Sequence, residues 1–172
     1  MPWGCKINNS PELVKRTTVC VDASQRSDMN MENRAMNEVL VKSTTGKYKQ
    51  EIKAGEHTMT ADAPKEFGGE AVGPDPHELL LGSLGACTSI TIQMYAERKG
   101  WPVKNIEVKL KEETVEDPEN PGKKISKITR EIDLQGDLTQ EQVDGLTAIA
   151  DKCPIHKLLS GPKQILTNVH HN

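Results

Sequence analysis

Residues 77–100 read HELLLGSLGACTSITIQMYAERKG, and the reading of this stretch decides the fold. Pro76 stands in front of it and Gly100-Trp101-Pro102 behind it, which are the punctuation marks of a helix start and a helix stop. Its apolar residues are Leu79, Leu80, Leu81, Leu84, Ala86, Cys87, Ile90, Ile92, Met94 and Tyr95. On a helix they surround most of the circumference rather than forming one stripe, which predicts a helix buried on nearly every side. Gly82, Gly85 and Ala86 would let another backbone come close, and Glu97-Arg98-Lys99 marks the exit to solvent.

Upstream, three short stretches read as strands: Val39 to Ser43, Tyr48 to Ile52 and His57 to Ala61. Thr45-Gly46 and Ala54-Gly55 separate them and suit tight turns, so an antiparallel meander is expected. Residues 64–76, PKEFGGEAVGPDP, form a loop. Downstream, VKNIEVKLKEE (103–113) puts Ile106, Val108 and Leu110 on one face and Glu107, Lys109 and Lys111 on the other. After the loop TVEDPENPGK, the stretch KISKITREIDLQG alternates again through Ile128, Ile132 and Leu134. Together they predict a half-buried hairpin, with Arg130 placed inward by its parity. A helix follows from Thr139, with Gln142 three residues on in a capping-box arrangement. A second, short helix runs from Pro154 to Ser160 and stops at Gly161-Pro162, and KQILTNVH (163–170) is expected to close the fold as a strand. The plan is α+β with antiparallel sheet.

The 172 residues make one domain, residues 37–172, preceded by a polar extension over residues 1–36 that is without period. Glu12, Asp22, Asp28 and Glu32 in that extension argue against a transit peptide, and it has no apolar signal region. Apolar residues are only 35% of the chain and aromatics 3%, so a core shared between two copies is expected. A net charge of −3 argues against a basic nucleic-acid binder. No run of apolar residues approaches the length of a membrane span.

Four cysteines, at 5, 20, 87 and 153, are too scattered for a secreted disulfide framework; in a reducing compartment they are catalytic, metal-bound or buried. Cys153 stands at a helix start locked by Pro154, whose missing N–H would be unpaired there anyway. The free N–H groups and the positive helix end favour a thiolate at that place. His156, three residues on, could add a donor or a charge. Cys87 gains no such help from its position, and Cys5 and Cys20 read as bystanders.

GPDPHELLLGSLGACTSITIQMYAERKGW and LQGDLTQEQVDGLTAIADKCPIHKLL resemble the two signature regions of the OsmC/Ohr family of thiol-dependent peroxidases. The first carries a Pro-x-x-Leu-Leu helix with a cysteine, the second a Cys-Pro pair. The resemblance covers residues from about 38 to 169. It implies an intertwined homodimer, in which antiparallel sheets wrap long buried central helices, with the site at the dimer interface. It also implies that Cys87 attacks an organic peroxide (hydrogen peroxide being a further candidate) to give a sulfenic acid. Cys153 then resolves this to a disulfide, and an external thiol reduces it. Neither cofactor nor metal is implied, and a cytoplasmic or organellar stress-response role is expected, with no nucleic-acid or membrane partner.

Two departures stand out. The better-known branches of the family have a glutamate after the helix-opening proline, paired with an arginine from the N-terminal strands. Here His77 holds that position, with Glu78 next to it, and the strands offer Lys42, Lys47, Lys49 and Lys53 instead. On a regular helix Glu78 lies about 180° from Cys87 and His77 about 80°, so His77 is the expected neighbour. A lysine lacks the two-pronged grip of a guanidinium, and Arg130 is the candidate to replace the missing charge. Two other readings stay open. One is a zinc site drawn from Cys87, Cys153, His156, His77 and His57. The other is a non-catalytic or redox-sensing protein that binds an apolar ligand at the interface through Leu79, Leu80, Leu84 and Met94.

Overall fold

A computed structural model describes residues 38–171; the extension over residues 1–36 lies outside the described residues. Three strands open the fold: β1 (Val39–Ser43), β2 (Gln50–Ala54) and β3 (His57–Ala61). They form an antiparallel sheet in that order. The second strand begins two residues later than the sequence suggests, because a six-residue loop rather than a two-residue turn precedes it. Thr44 closes that loop by donating its N–H and its hydroxyl to the Lys49 carbonyl at 3.1 and 3.2 Å. Ala54 pairs with His57, so the next turn is Gly55-Glu56, with Gly55 at φ 61. That left-handed backbone suits glycine.

Between β3 and the long helix the chain is pinned by a buried carboxylate. Asp62 accepts hydrogen bonds from the N–H groups of Ala63, Glu70 and Val72 at 2.8, 3.0 and 3.3 Å. Its own N–H donates to the Pro74 carbonyl at 3.2 Å. The loop therefore delivers Asp75 as the N-cap of α1 (Pro76–Lys99) in a fixed place. Asp75 and Glu78 form a full capping box, and Pro76 takes the first helical position. Gly100 ends the helix at φ 67, its N–H reaching the Ala96 and Glu97 carbonyls.

Strands β4 (Val103–Glu116) and β5 (Lys124–Gly136) make a separate two-stranded ribbon. β5 spans the stretch read from sequence, whereas β4 runs three residues further than 103–113, since Thr114, Val115 and Glu116 pair with Ser126, Ile125 and Lys124. Asp117 then folds the loop, accepting from the Glu119 N–H and the Asn120 amide at 2.9 and 2.8 Å. The register sets Ile106 opposite Leu134, Val108 opposite Ile132 and Leu110 opposite Arg130. The inward parity of Arg130 is therefore observed.

Helix α1 lies against β4, α2 (Gln140–Ala150) and α3 (Pro154–Ser160). Ile92, Ala96, Leu146 and Ala150 are the buried centre, flanked by Tyr95, Trp101, Ile106, Ile132 and Leu134. A Cβ on Gly85 would stand 2.8 Å from Leu110 Cδ1, so glycine sets how closely α1 settles on β4. The Thr139–Gln142 capping box at the start of α2 forms as the sequence indicates.

Of three further expectations, the burial of α1 is met on one side only within a single chain, and the other two need correction. First, α1 buries only Leu84, Gly85, Thr88, Ile92 and Ala96 within this chain, while Leu80, Ile90 and Met94 are exposed and Gly82 faces open space. A single copy supplies cover for one side of the helix only. Second, residues 163–170 form no strand; Ile165, Leu166 and Val169 are 86%, 87% and 85% exposed. A strand needs an edge to pair with, and among the described residues none lies alongside. Third, α1 is long and apolar enough to cross a membrane by length and composition. Uninterrupted apolar runs miss this because glycine, serine and threonine interrupt the leucines and isoleucines without adding charge.

Candidate functional site

Cys87 stands midway along α1, on the side turned toward the corner between α2 and α3. Cys153 is the N-cap of α3, with Pro154 at the first helical position. The corner is short: Lys152 N–H donates to Ile149 O at 2.9 Å, and Cys153 N–H to Ala150 O at 3.4 Å. It turns the Cys153 side chain inward, where it is wholly buried, and both cysteines are free thiols.

The two cysteines lie near enough for one to act on the other's proton. Burial pushes the Cys87 thiol above its ordinary value, and a hydrogen bond with the Cys153 side chain pushes it the same way. The Ile155 backbone N–H and Thr91 work against that shift without reversing it. The sequence places the positive end of α3 on Cys153, its own N-cap. In the folded chain the Ile155 N–H of that first turn acts to lower the Cys87 thiol, and the Cys153 side chain makes no hydrogen bond to its own helix. Thr91 donates its hydroxyl to the Cys87 carbonyl at 2.7 Å and sits one turn below the thiol.

The residues expected to support Cys87 are placed elsewhere. His77 Nδ1 pairs with Glu112 Oε2 on β4 at 2.8 Å, and the Ser126 hydroxyl of β5 donates to Glu112 Oε1 at 2.5 Å. The hydrogen bond and charge of Glu112 hold His77 above its ordinary value, while Ser126 first and His77 second hold Glu112 below its own. His77 thus ties the start of α1 to the hairpin and is not among the groups that shift Cys87. Glu78 is occupied in the capping box, accepting the Asp75 N–H at 2.9 Å.

Arg130 is held by three oxygens. Its Nη1 donates to Thr88 Oγ1 at 2.9 Å and to the Ala150 carbonyl at 3.3 Å, and its Nη2 to Asp151 Oδ1 at 2.7 Å. A hydroxyl, a carbonyl and a carboxylate oxygen thus engage the guanidinium. His156 is the third residue of α3. It lines a cavity of about 460 Å³ together with Leu84, Ser126, Ile128, Arg130 and Leu159. This cavity and the Arg130 anchor on Thr88 and Asp151 escaped the sequence reading. Inward parity was the one signal for the anchor, and it names a face without naming a partner. Among the described residues no three His, Cys, Asp or Glu side chains converge as a metal ion would need, so the zinc set is not assembled.

A meander, a long helix, a hairpin and two helices that bring together a helix-borne cysteine and a Cys-Pro corner define an α+β thiol protein of the OsmC-like fold. The family model described as OsmC-like protein matches residues 68–168, and the chain belongs to that family. An OsmC-like protein from Mycoplasma pneumoniae superposes with a TM-score of 0.60 at 18% identity, covering 74% of this chain and 89% of that one. An organic hydroperoxide resistance protein OsmC from Legionella pneumophila gives 0.55 at 20% identity, over 74% and 93%. The organic hydroperoxide resistance protein OhrB of Bacillus subtilis gives 0.52 at 18%, over 74% and 92%. At these identities the likeness is one of fold. No curated protein sequence matches the chain.

Proposed function

We propose that this chain is a thiol-dependent peroxidase of organic hydroperoxides, working as a homodimer. The observation that carries the reading is that Cys153, from a distant part of the chain, lies near enough to Cys87 to raise its thiol. The Cys87 thiolate attacks the terminal oxygen of ROOH; an S–O bond forms, the O–O bond breaks, and the alkoxide leaves as ROH after taking a proton. Cys153 then attacks the Cys87 sulfenic acid, forming the S–S bond and releasing water. An external dithiol reduces the disulfide by exchange and is itself oxidised.

The raised Cys87 thiol makes its thiolate the minor form at neutral pH, so the reaction is slow there and quickens as pH rises. A second copy covers Leu80, Ile90 and Met94 of α1 in this reading, since exposed apolar side chains on so central a helix call for a partner. Purified protein should consume cumene hydroperoxide with dithiothreitol or a dihydrolipoyl reductant, and Cys87→Ser should abolish consumption. Consumption that survives Cys87→Ser rules this function out. The same raised thiol favours a second reading, in which the cavity near His156 holds an apolar ligand and the cysteines sense oxidation. Absence of turnover together with a Cys87–Cys153 crosslink after one equivalent of peroxide would select it.

A further inference from the structure

We propose that Arg130 is the positioning residue of the cysteine pair, its guanidinium clamping the turn of α1 that carries Cys87 to the corner that carries Cys153. The inference rests on the two-cysteine reading above and assigns Arg130 no contact with either sulfur.

The α2–α3 corner has little to hold it in place. Helix α3 is seven residues long and has no side-chain cap, and helices that short do not persist by themselves. Strand β5 is the rigid element nearby, paired with β4 along its whole length, and Arg130 projects inward from it. One prong of the fork reaches Thr88, the residue after Cys87, and the Ala150 carbonyl; the other reaches Asp151. The Thr88 hydroxyl donates to the Leu84 carbonyl at 2.8 Å, which leaves its lone pairs free to accept from the guanidinium. The Ala150 carbonyl that takes the guanidinium also takes the Cys153 N–H. A single planar cation is therefore hydrogen-bonded to the neighbour of one cysteine and, through a shared oxygen, to the backbone of the other. Its side chain is 14% exposed, whereas Asp151 is 63% exposed, so the cation is the inner half of the pair and the corner is drawn onto it. Only a guanidinium offers several donors at fixed angles in one plane; an ammonium holds one acceptor well and the others poorly.

Placement within about 1 Å decides how fast one bound group meets another, so losing the clamp is expected to lower the effective concentration of the two thiols by roughly 10- to 100-fold. The test uses the full chain with Cys5→Ser and Cys20→Ser as background. The Cys87–Cys153 disulfide is titrated in glutathione buffers, and the products formed after cumene hydroperoxide are weighed by mass spectrometry. Arg130→Met should shift the disulfide equilibrium toward the dithiol and leave Cys87 sulfinic acid where the parent gives crosslink; Arg130→Lys should fall between. Asp151→Ala, at an exposed position that leaves the Thr88 bond intact, should move the equilibrium the same way, and Asp151→Asn, which keeps an oxygen acceptor, should restore most of it. A purely structural role would lower the melting temperature and leave the equilibrium of the folded protein unchanged. Equal equilibrium constants in the parent and in Asp151→Ala and Arg130→Met overturn the clamp while the two-cysteine chemistry stands. A parent that forms no crosslink at all overturns that chemistry and the clamp with it.

Discussion

Cys87 and Cys153 divide between them what a single reactive cysteine would combine. Cys153 holds the helix-start position but is sealed from solvent, and Cys87 is half-buried and receives the Ile155 N–H from that helix start. Burial and the neighbouring sulfur still outweigh this help, so the folded Cys87 keeps its proton to higher pH than an unfolded one. The consequence for stability follows in sign. Below the ordinary thiol range both states are protonated and pH has no effect; as pH rises through that range the unfolded chain ionises first and the fold loses stability. Alkylation offers a direct check. Iodoacetamide should label Cys87 in native protein more slowly than a model thiol peptide at a given pH, with a rate that goes on climbing past the pH at which the peptide levels off. A Cys153→Ser variant, which removes the coupled thiol, should react at lower pH than the parent. A native Cys87 that labels fully at neutral pH would contradict the raised value.

At the scale of elements, the design rests on what each helix start is tied to. The first turn of α1 is bound twice, by its own capping box and by the His77–Glu112–Ser126 chain to the hairpin. Glu112 raises His77, so the charged pair is complete at acid pH and is lost as pH climbs through the raised imidazole value. In proton NMR, His77 should titrate above a free histidine, and Glu112→Gln should bring it back toward the ordinary value. An unchanged His77 would mean that the contact does not persist in solution. The capping boxes at Asp75–Glu78 and Thr139–Gln142 follow from local sequence, since both partners lie within one turn. The His77–Glu112 pair does not, because its members are joined only when α1 settles on β4.

At the scale of the molecule, a single chain leaves several apolar surfaces uncovered: the Leu80, Ile90 and Met94 side of α1, Val39, Leu40 and Val41 of β1, and Ile165, Leu166 and Val169 near the end. A homodimer proposed on this basis should sediment as two copies at micromolar concentration. Met94→Glu should drive it to monomer by placing a charge in the shared core, and a parent that sediments as one copy would refute the arrangement. What the sequence by itself determined is what local rules reach: the α+β order, the ends of α1, the start of α2, the hairpin alternation, and the two cysteine motifs whose likeness to the OsmC family the family match bears out. Those features depend on residues a few positions apart, where spacing and caps decide. Only the tertiary structure decided that Arg130 grips Thr88 and Asp151 rather than a thiol, that His77 turns to Glu112, that the α3 start faces Cys87, and that residues 163–170 find no strand to join. Each of these depends on which acceptor is nearest once distant segments are packed, and spacing along the chain carries no information about that distance.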